Sequence, residues 1–457
     1  MSDDPKPIQP STPKPVESPP SSRRLRSFKE ISSPKAGLVV FALVFAVIGA
    51  YLLLRSFAAN PPITELGFDS EAFSCGGQRL QIDKTFSLSY GACHDQIAQE
   101  VQFLAAHNVR LIRIWPVVSQ FFVHEPRGTG DISYDVFDPK RLAPLDEFLA
   151  QLKQKNMKAI ITLNTSGLTT CQGDDQVNFS WKILVNPTKH SQYLAGLTAF
   201  MAHYKNNGVI KSYDLMNEVN LVVGALLRDS WDKCDLPSTD INTRQKLLLA
   251  LFQEIYAQAK QVDNKHPLTY SFATNASANI NNGINLPALY GSMQDYYDIH
   301  SYVLEPNCDT IPKCAAAPKT EGNNTKDPKD WYDKTFAALQ FPPINKPSFI
   351  TGETGINEDV GSYDMDGNPC SLPIMKNLQP MNDFCQQAYL DTAAQFIAKA
   401  NARGIGLIFF HGAWAHNTYI YVNYDSQGKP TGFSVTKAAQ RIFNYNKAFY
   451  DTNPSKL

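Results

Sequence analysis

Short apolar runs alternate along residues 85–457 with longer stretches in which apolar residues recur at helical spacing. Runs of four to eight residues rich in β-branched and aromatic side chains are typical of strands, and the longer periodic stretches predict amphipathic helices. The pattern predicts eight strands, over Phe86–Tyr90, Val109–Trp115, Lys158–Leu163, Ile210–Met216, Leu268–Phe272, Tyr296–Tyr302, Ser348–Gly352 and Ile405–Phe410. It predicts seven helices, over Asp95–His107, Pro139–Lys155, His190–Asn206, Arg244–Asp263, Trp331–Leu339, Phe384–Ala402 and Val435–Tyr450.

This alternation favours an α/β fold in which helices surround a parallel sheet. Eight strand–helix units within residues 85–457 predict a (β/α)8 TIM barrel, whose length ranges from roughly 200 to more than 400 residues. A doubly wound open sheet is the alternative. It has less support, because no G-x-G-x-x-G or G-x-x-x-x-G-K-[ST] sequence follows an early strand.

The segment that precedes the barrel divides into three parts by composition. Residues 1–35 contain eight prolines and scattered charge, which is typical of a disordered tail. Residues 36–54 carry no charge and are close to the roughly 20 apolar residues of a transmembrane helix. Seven Lys/Arg precede this span and only Arg55 follows it directly, so the tail is expected to be cytoplasmic. Residues 55–84 are expected to form a stalk and the entry to the barrel.

The predicted topology places the barrel outside the cell, anchored in the plasma membrane. A long secretory signal peptide is the alternative, and it would give a protein secreted after cleavage. All eight cysteines follow the span, which fits the oxidising side of a membrane, where disulfide bonds persist. Cys308 with Cys314 and Cys370 with Cys385 are plausible local pairs, but the spacing leaves the connectivity open.

Charge and short motifs narrow the class of ligand. Residues 56–457 carry 34 Lys/Arg against 39 Asp/Glu, so this part of the chain lacks the basic footprint of a nucleic-acid-binding domain. A neutral polymer such as a polysaccharide remains possible. The sequence has no C-x-x-C pair, which argues against a zinc ribbon, and no dinucleotide-binding sequence, which disfavours a dehydrogenase.

Two glutamates are the strongest candidates for chemistry. Glu218 follows Asn217 at the end of the fourth predicted strand, and Glu353 ends the seventh. Because the carboxyl ends of barrel strands meet at one mouth, both side chains are expected to face the same opening. Glycosidic bonds are commonly cleaved by two carboxyl groups, one as the acid and the other as the nucleophile or base. Surface carboxylates at strand ends are the structural alternative.

Three further residues favour the chemical interpretation. Arg113 lies within an apolar strand, on the same side as Leu111 and Trp115, and a cation inside a barrel needs a carboxylate partner. His300 and Tyr302 are two residues apart at the end of the sixth strand, so they share a face. They could hydrogen-bond a carboxylate or a sugar hydroxyl.

Taken together, these residues resemble clan A glycoside hydrolases, most closely glycoside hydrolase family 5, the cellulase and mannanase family. The resemblance covers roughly residues 85–450. It implies that Glu218 is the acid/base, that Glu353 is the nucleophile and that Asn217 binds the sugar 2-hydroxyl. It also matches Arg113 to the family arginine of strand two, and His300 and Tyr302 to the His-x-Tyr of strand six.

Two positions depart from the family pattern. Asn164 stands where the family has a histidine at the end of strand three, and it could replace that contact only in part. The family tryptophan at the end of strand eight is matched either by His411 or by Trp414, of which Trp414 is favoured because an aromatic face stacks on a sugar. Trp115 follows Arg113 as in the Arg-x-Trp of mannanases, a lean toward mannan.

The sequence therefore predicts a membrane-anchored, retaining glycoside hydrolase that acts on a β-linked glucan or mannan without a metal or cofactor. Its partners are expected to be the carbohydrate and the membrane, with no nucleic acid and a monomer assumed. A transglycosylase would use the same residues. A catalytically silent carbohydrate-binding or adhesion barrel is the rival from another class.

Overall fold

The computed structural model describes thirteen stretches of the chain, all within the compact unit Pro61–Leu457. They are 64–70, 98–114, 122–124, 132–137, 142–164, 181–220, 240–273, 293–303, 349–356, 383–403, 405–411, 419–424 and 430–456. The predicted tail (1–35) and span (36–54) lie outside these residues, as do strand 86–90, helix 331–339 and the side chains of all eight cysteines. Among the helices that are described, none combines the length and apolar character needed to cross a bilayer.

The described strands alternate with helices along the chain. The strands are β1 (Glu65–Ser70), β2 (Leu111–Ile114), β3 (Phe122–His124), β4 (Ile132–Phe137), β5 (Lys158–Thr162), β6 (Ile210–Asp214), β7 (Leu268–Thr269), β8 (Ser271–Ala273), β9 (Tyr297–Val303), β10 (Phe349–Ile356), β11 (Leu407–His411), β12 (Ile420–Tyr424) and β13 (Pro430–Val435). Helical residues 98–106 come first, followed by α1 (Ala143–Gln154), α2 (Pro187–Tyr204), α3 (Ile241–Val262), α4 (Asp383–Arg403) and α5 (Lys437–Thr452).

Nine of these strand segments form one wholly parallel sheet that closes on itself. Their order is β7-β6-β5-β2-β1-β11-β10-β9-β8. Only Tyr270 separates β7, which pairs with β6, from β8, which pairs with β9. The two ends of the order are thus one continuous stretch, and the described strands make an eight-stranded TIM-barrel-like fold as the sequence predicted. The remaining strands form two antiparallel hairpins, β3–β4 after β2 and β12–β13 after β11.

The first strand of the barrel corrects one prediction. β1 pairs in parallel with both β2 and β11, so residues 65–70 are part of the barrel wall. The prediction that the segment 55–84 forms only a stalk and entry was wrong for these residues, and the barrel begins about twenty residues earlier than expected. A run as short as Glu65–Ser70, with a glycine and two acidic residues, has a weak strand pattern in the sequence.

The helices agree with the periodicity of the sequence to within about four residues at each end. Polar caps mark where three of them begin: the side chains of Asn186, Asp240 and Thr436 accept backbone N–H groups in the first turns of α2, α3 and α5. Asn108 and Asn156 adopt the left-handed conformation after helical residues 98–106 and after α1, at φ values of 62° and 53°.

Alternation along each strand divides the buried residues into two sets. Outward residues such as Ile112, Ile161 and Tyr213 pack with the helices in one large hydrophobic core. Inward residues form a smaller apolar cluster inside the barrel, composed of Leu111, Ile160, Tyr296, Ile350, Leu407 and Phe409. Gly67 is needed beside this cluster, because a Cβ atom there would lie 2.7 Å from the Phe409 ring. The residues that follow along the strands are polar and belong to the site.

The last long helix, α5, is hydrogen-bonded to the first strand, β1. Asn446 on α5 is fully buried; its Nδ2 donates to the Leu66 carbonyl at 2.9 Å, and its Oδ1 accepts the Leu66 N–H at 3.3 Å. The Tyr450 hydroxyl donates to Glu65 Oε1 at 2.6 Å. These bonds join segments about 380 residues apart in sequence, and they hold the N-terminal strand in the barrel wall.

Replacing Asn446 should therefore destabilise the whole barrel. Asn446→Ala would leave two buried backbone groups of Leu66 without partners, and we expect a loss of about 2 kcal/mol or more in the free energy of unfolding. Urea unfolding of the protein measures this loss. Asn444→Ala, at an exposed position on the same helix, is the matched control and should change stability by less than about 0.5 kcal/mol. Equal losses in the two variants would contradict the assignment.

Candidate active site

A buried arginine lies at the centre of the polar layer inside the barrel. The Nη1 group of Arg113 donates to Glu353 Oε1 at 2.6 Å and contacts Asp69 Oδ2 at 3.2 Å. Its Nη2 group donates to Asp214 Oδ2 at 2.9 Å and to Asn217 Oδ1 at 2.6 Å. The Arg113 side chain has no solvent exposure. Four side chains from three separate segments of the barrel thus converge on one guanidinium.

Period-two alternation in β2 explains why this side chain points inward. Leu111 belongs to the inner apolar cluster and Ile112 and Ile114 to the outer core, so Arg113 faces the barrel interior as the sequence predicted. Burial by itself would lower the pKa of Arg113, but the surrounding carboxylates, with Asp69 and Glu353 foremost, raise it well above its ordinary value. The guanidinium is therefore a permanent positive charge that holds the acidic side chains around it.

Asp214 connects this charge to the end of β6. Its Oδ2 accepts the Ser271 hydroxyl at 2.8 Å, and its Oδ1 accepts the backbone N–H groups of Ser271 at 3.0 Å and Met216 at 3.3 Å. The Ser271 hydroxyl oxygen in turn accepts the Glu218 N–H at 3.0 Å. This network fixes the backbone that follows β6, and it anchors Glu218 through its backbone N–H to residues inside the barrel.

Glu218 itself has a constrained backbone. Its φ is +49°, in the left-handed region that a non-glycine residue seldom adopts. Such a conformation persists only where the surroundings impose it, and it is concentrated at functional sites. About a quarter of the Glu218 side chain is exposed, whereas Glu353 is almost fully buried. Glu218 is the more open of the two carboxyl groups.

A bulge in β10 directs Glu353. The parallel register between β10 and both of its neighbours shifts between Ile350 and Thr354, and Glu353 then pairs with His300. Bulges of this kind often re-aim a side chain beside an active site. Gly352 is required at the bulge, because a Cβ atom there would overlap the carboxylate of Asp298.

One imidazole nitrogen links the two glutamates. His300 Nδ1 lies 3.2 Å from Glu218 Oε1 and 3.3 Å from Glu353 Oε2. The nearest ligand atoms of Glu218, His300 and Glu353 all lie within 4.8 Å of one another. The two glutamates are therefore adjacent, as the sequence predicted. Glu353 lies inside β10 and not at its end as predicted, because the strand continues past the bulge to Ile356, and Glu218 lies four residues after β6. Carboxyl groups of retaining glycosidases are about 5 to 5.5 Å apart, and those of inverting enzymes about 6.5 to 9.5 Å.

The charge state of His300 follows from this position. Full burial would lower its pKa, but the negative charge of Glu353 and the hydrogen bonds to Glu218 and Glu353 outweigh burial and raise the pKa to about 10. The imidazole is then protonated at neutral pH and can donate to both carboxylates.

Asn164 has a different environment from the predicted sugar contact. Its Nδ2 group donates to the Tyr193 hydroxyl and to the Leu215 carbonyl, each at 2.8 Å. The backbone carbonyl of Asn164 accepts the Asn217 N–H at 2.8 Å. Both hydrogens of the Asn164 Nδ2 group are thus used, and they join the end of β5 to α2 and to the segment after β6. The only group of this side chain left for a sugar is Oδ1. The first role of Asn164 is to support Asn217.

The other predicted contacts are placed only in part. Tyr302 lies in β9 two positions after His300, and His411 ends β11 in register with Asp69. The side chains of Tyr302 and His411 are outside the described residues, as are Trp115 and Trp414 entirely. Their roles stay predictions.

Sequence reasoning missed four polar residues of the interior. They are Asp69, Asp214, Asp298 and Ser271. Each of the last three stands between two apolar or aromatic neighbours, whereas Asp69 stands between Phe68 and Ser70. Arg113 was found by that signal, and an unexplained buried acid in an apolar run could have been flagged by the same argument. What the sequence lacked was the strand pairing that brings Asp69 and Asp214 to Arg113, Ser271 to Asp214, and Asp298 to Gly352.

Comparison with known proteins supports the fold. No protein-family model and no curated protein matches this chain. Among solved structures, GH5_18 from Bifidobacterium longum matches with 13% identity and a TM-score of 0.54, covering 85% of this chain and 80% of that one. GH5_18 from Streptomyces cattleya, solved with GlcNAc, matches with 10% identity and a TM-score of 0.51, covering 85% and 81%. The endo-1,4-β-mannanase from Rhizomucor miehei matches with 13% identity and a TM-score of 0.50, covering 86% and 96%. The chain has the barrel fold of these glycoside hydrolases.

The raised pKa of His300 makes a prediction about stability and pH. The folded protein holds this proton up to about pH 10, whereas the unfolded chain releases it near pH 6.5. The stabilisation is therefore fully present below about pH 6.5 and is lost as the pH rises toward 10, by an amount on the order of a few kcal/mol. Urea unfolding of wild type across this range should show the decline, and His300→Gln should flatten it. His203→Gln, at an exposed site outside the cluster, should retain the wild-type decline; an equal slope in all three proteins would refute the assignment.

Proposed function

We propose that the barrel is a retaining glycoside hydrolase that cleaves O-glycosidic bonds of a β-linked polysaccharide or oligosaccharide. The observation that carries this proposal is the contact of both Glu218 and Glu353 with His300 Nδ1, which brings together a carboxyl group just after β6 and one within β10. Their nearest oxygens lie within 4.8 Å of each other, which favours the two-step retaining mechanism.

In the first step Glu353 is the nucleophile. Arg113 and the protonated His300 contact its two oxygens and favour the ionised form. A Glu353 oxygen attacks the anomeric carbon as the bond from that carbon to the leaving oxygen breaks. Glu218, the more exposed carboxyl group, donates its proton to the leaving oxygen. The products of this step are a glycosyl ester on Glu353, the released alcohol and an ionised Glu218.

In the second step Glu218 acts as the base. It takes a proton from water while the water oxygen attacks the anomeric carbon and the ester bond to Glu353 breaks. This step restores the carboxylate of Glu353 and the acid form of Glu218, and the sugar regains its original configuration. If a sugar hydroxyl replaces water, the same residues perform transglycosylation.

Substrate contacts are assigned from the geometry and the family resemblance together. The side-chain oxygen Oδ1 of Asn217 accepts a hydrogen bond from Arg113. Its Nδ2 group is therefore the part of the side chain that can contact a sugar 2-hydroxyl. Tyr302, Trp115, Trp414 and His411 remain proposed contacts around the opening. The Arg-x-Trp sequence favours a β-mannan over a β-glucan, and the structural likeness to an endo-1,4-β-mannanase is compatible with that choice.

We also propose that the enzyme is anchored in the plasma membrane by residues 36–54, with the tail inside and the barrel outside. The uncharged span, the excess of Lys/Arg before it and the cysteines after it support this topology. Protease added to intact cells should digest residues 60–457 and leave an epitope in residues 1–35 protected. Protection of the barrel would contradict the topology.

The catalytic assignment predicts the effect of removing each carboxylate. Glu353→Gln removes the nucleophile and should lower kcat by roughly 10³-fold or more. Glu218→Gln removes the acid/base and should lower kcat by at least about 10²-fold. The measurement is release of reducing ends from a panel of β-mannans and β-glucans by the ectodomain. Proton NMR of the first product to form should show the β-anomer, as retention requires.

The chain provides a matched control for these variants. Glu358 follows Asn357 in a second Asn-Glu dipeptide, which has no assigned role, so Glu358→Gln should keep wild-type activity. Equal turnover by wild type, Glu218→Gln and Glu353→Gln would refute the catalytic roles. Binding without turnover by wild type would favour a carbohydrate-binding barrel, and initial release of the α-anomer would replace retention by inversion.

A further inference from the structure

A second carboxylate lies behind His300, and the proposed reaction does not use it. Asp298 has no exposed surface, and its Oδ1 is 3.9 Å from His300 Nε2, the nitrogen that faces away from Glu218 and Glu353. Among the described residues, no hydrogen-bond partner reaches His300 Nε2 or Asp298 Oδ2. The imidazole is thus flanked by carboxylates on both sides, with Asp298 on the inner one.

We propose that Asp298 is a positioning residue that acts through His300 and Gly352 to set the relation of the two catalytic glutamates. This inference rests on the proposed function and names a further residue for the same site. Asp298 would orient the imidazole with Nδ1 toward Glu218 and Glu353, and it would keep the ring protonated by placing a negative charge beside Nε2.

The second contact of Asp298 ties it to the nucleophile. Its Oδ1 accepts the Gly352 N–H at 2.7 Å, and Gly352 directly precedes Glu353 in the β10 bulge. The absence of a Cβ atom at Gly352 is what lets the carboxylate approach so closely. One side chain therefore supports both the ring that joins the glutamates and the backbone from which Glu353 extends.

The charges around Asp298 are consistent with this role. Burial raises the pKa of Asp298 to about 7, while the positive charges of His300 and Arg113 oppose the rise and Asp214 adds to it. The hydroxyl of Tyr296, on the segment that leads into β9, also faces this region and donates to Ser212. Asp298 and His300 therefore form one buried pair in which the charge of each favours the charge of the other.

The Asp298–His300 pair would keep the imidazole protonated during the second step of the proposed reaction. When Glu353 becomes a glycosyl ester, it loses the negative charge that contributes to the protonation of His300. Asp298 does not react, so above about pH 7, where its ionised form dominates, it keeps a negative charge behind the ring and leaves Nδ1–H available as a donor to Glu218. Glu218 needs that support in the second step, because it is then the ionised base.

The test compares wild type with Asp298→Asn by NMR of the ectodomain labelled with ¹⁵N-histidine, using His300→Gln to assign the resonance. Asparagine keeps an oxygen for the Gly352 N–H but removes the negative charge. We expect the pKa of His300 to fall by about 1 pH unit or more. If the proposed activity is present, we also expect kcat to fall about tenfold or more with a smaller change in KM.

A second buried pair in the same chain is the control. His266 Nδ1 lies 2.5 Å from Asp263 Oδ2, in the segment between α3 and β7. Asp263→Asn should move the His266 resonance and leave that of His300 in place. If Asp298→Asn does not fold, a pH titration of wild type tests the same inference. The ionisation of Asp298 near pH 7 should change the ¹⁵N chemical shift of His300 Nε2.

The outcomes separate this inference from the proposed function. An unchanged pKa of His300 in Asp298→Asn, or an Nε2 shift that stays constant from about pH 5 to 9 in wild type, would overturn the inference even if the enzyme is active. If Asp298→Asn lowers the pKa of His300 as expected but wild type turns over no glycan, the hydrolase assignment is rejected and the Asp298–His300 coupling still holds.

Discussion

A guanidinium that cannot lose its charge is enclosed in the middle of this barrel, and the site depends on how that charge is satisfied. Removing a charge from water costs several kcal/mol, and only close anionic partners offset the cost. Arg113 obtains them from Asp69, Asp214 and Glu353, which belong to three different strands. Because no single strand could supply these partners, the barrel must close correctly before the arginine can be buried. The fold and the candidate chemistry therefore share one requirement.

The same arrangement gives the two glutamates different surroundings, as the two proposed roles require. Glu353 is buried between two positive groups, so its environment favours the negative charge of a nucleophile. Glu218 lies farther out, on a backbone held in the left-handed conformation by the Ser271 and Asp214 network. Preorganised charges of this kind need no rearrangement during a reaction, which is how electrostatic catalysis in proteins commonly operates. Next to the polar layer, the barrel interior is filled by a buried apolar cluster.

Much of the fold could be predicted from the sequence, and the exceptions have physical causes. The periodicity located α1 to α5 and the strands that contain Arg113, Asp214 and His300, because each buries a regular apolar face. The strand Glu65–Ser70 was missed, since its place in the wall depends on hydrogen bonds to Asn446 and on pairing with residues more than 300 positions away. Local pattern carries no information about such partners. Asn164 was predicted as a sugar contact, whereas Tyr193 and Leu215 occupy its amide group.

The sequence by itself determined the alternation of strands and helices, the inward direction of Arg113 and the placement of each glutamate in or just after a strand. Those features follow from period-two and helical spacing within single segments. Only the tertiary structure decided that His300 joins Glu218 to Glu353, that a bulge directs Glu353 and that Asp298 lies behind the imidazole. These relations are distances between residues of different strands, and they exist only once the closed sheet sets the register of each strand against its neighbours.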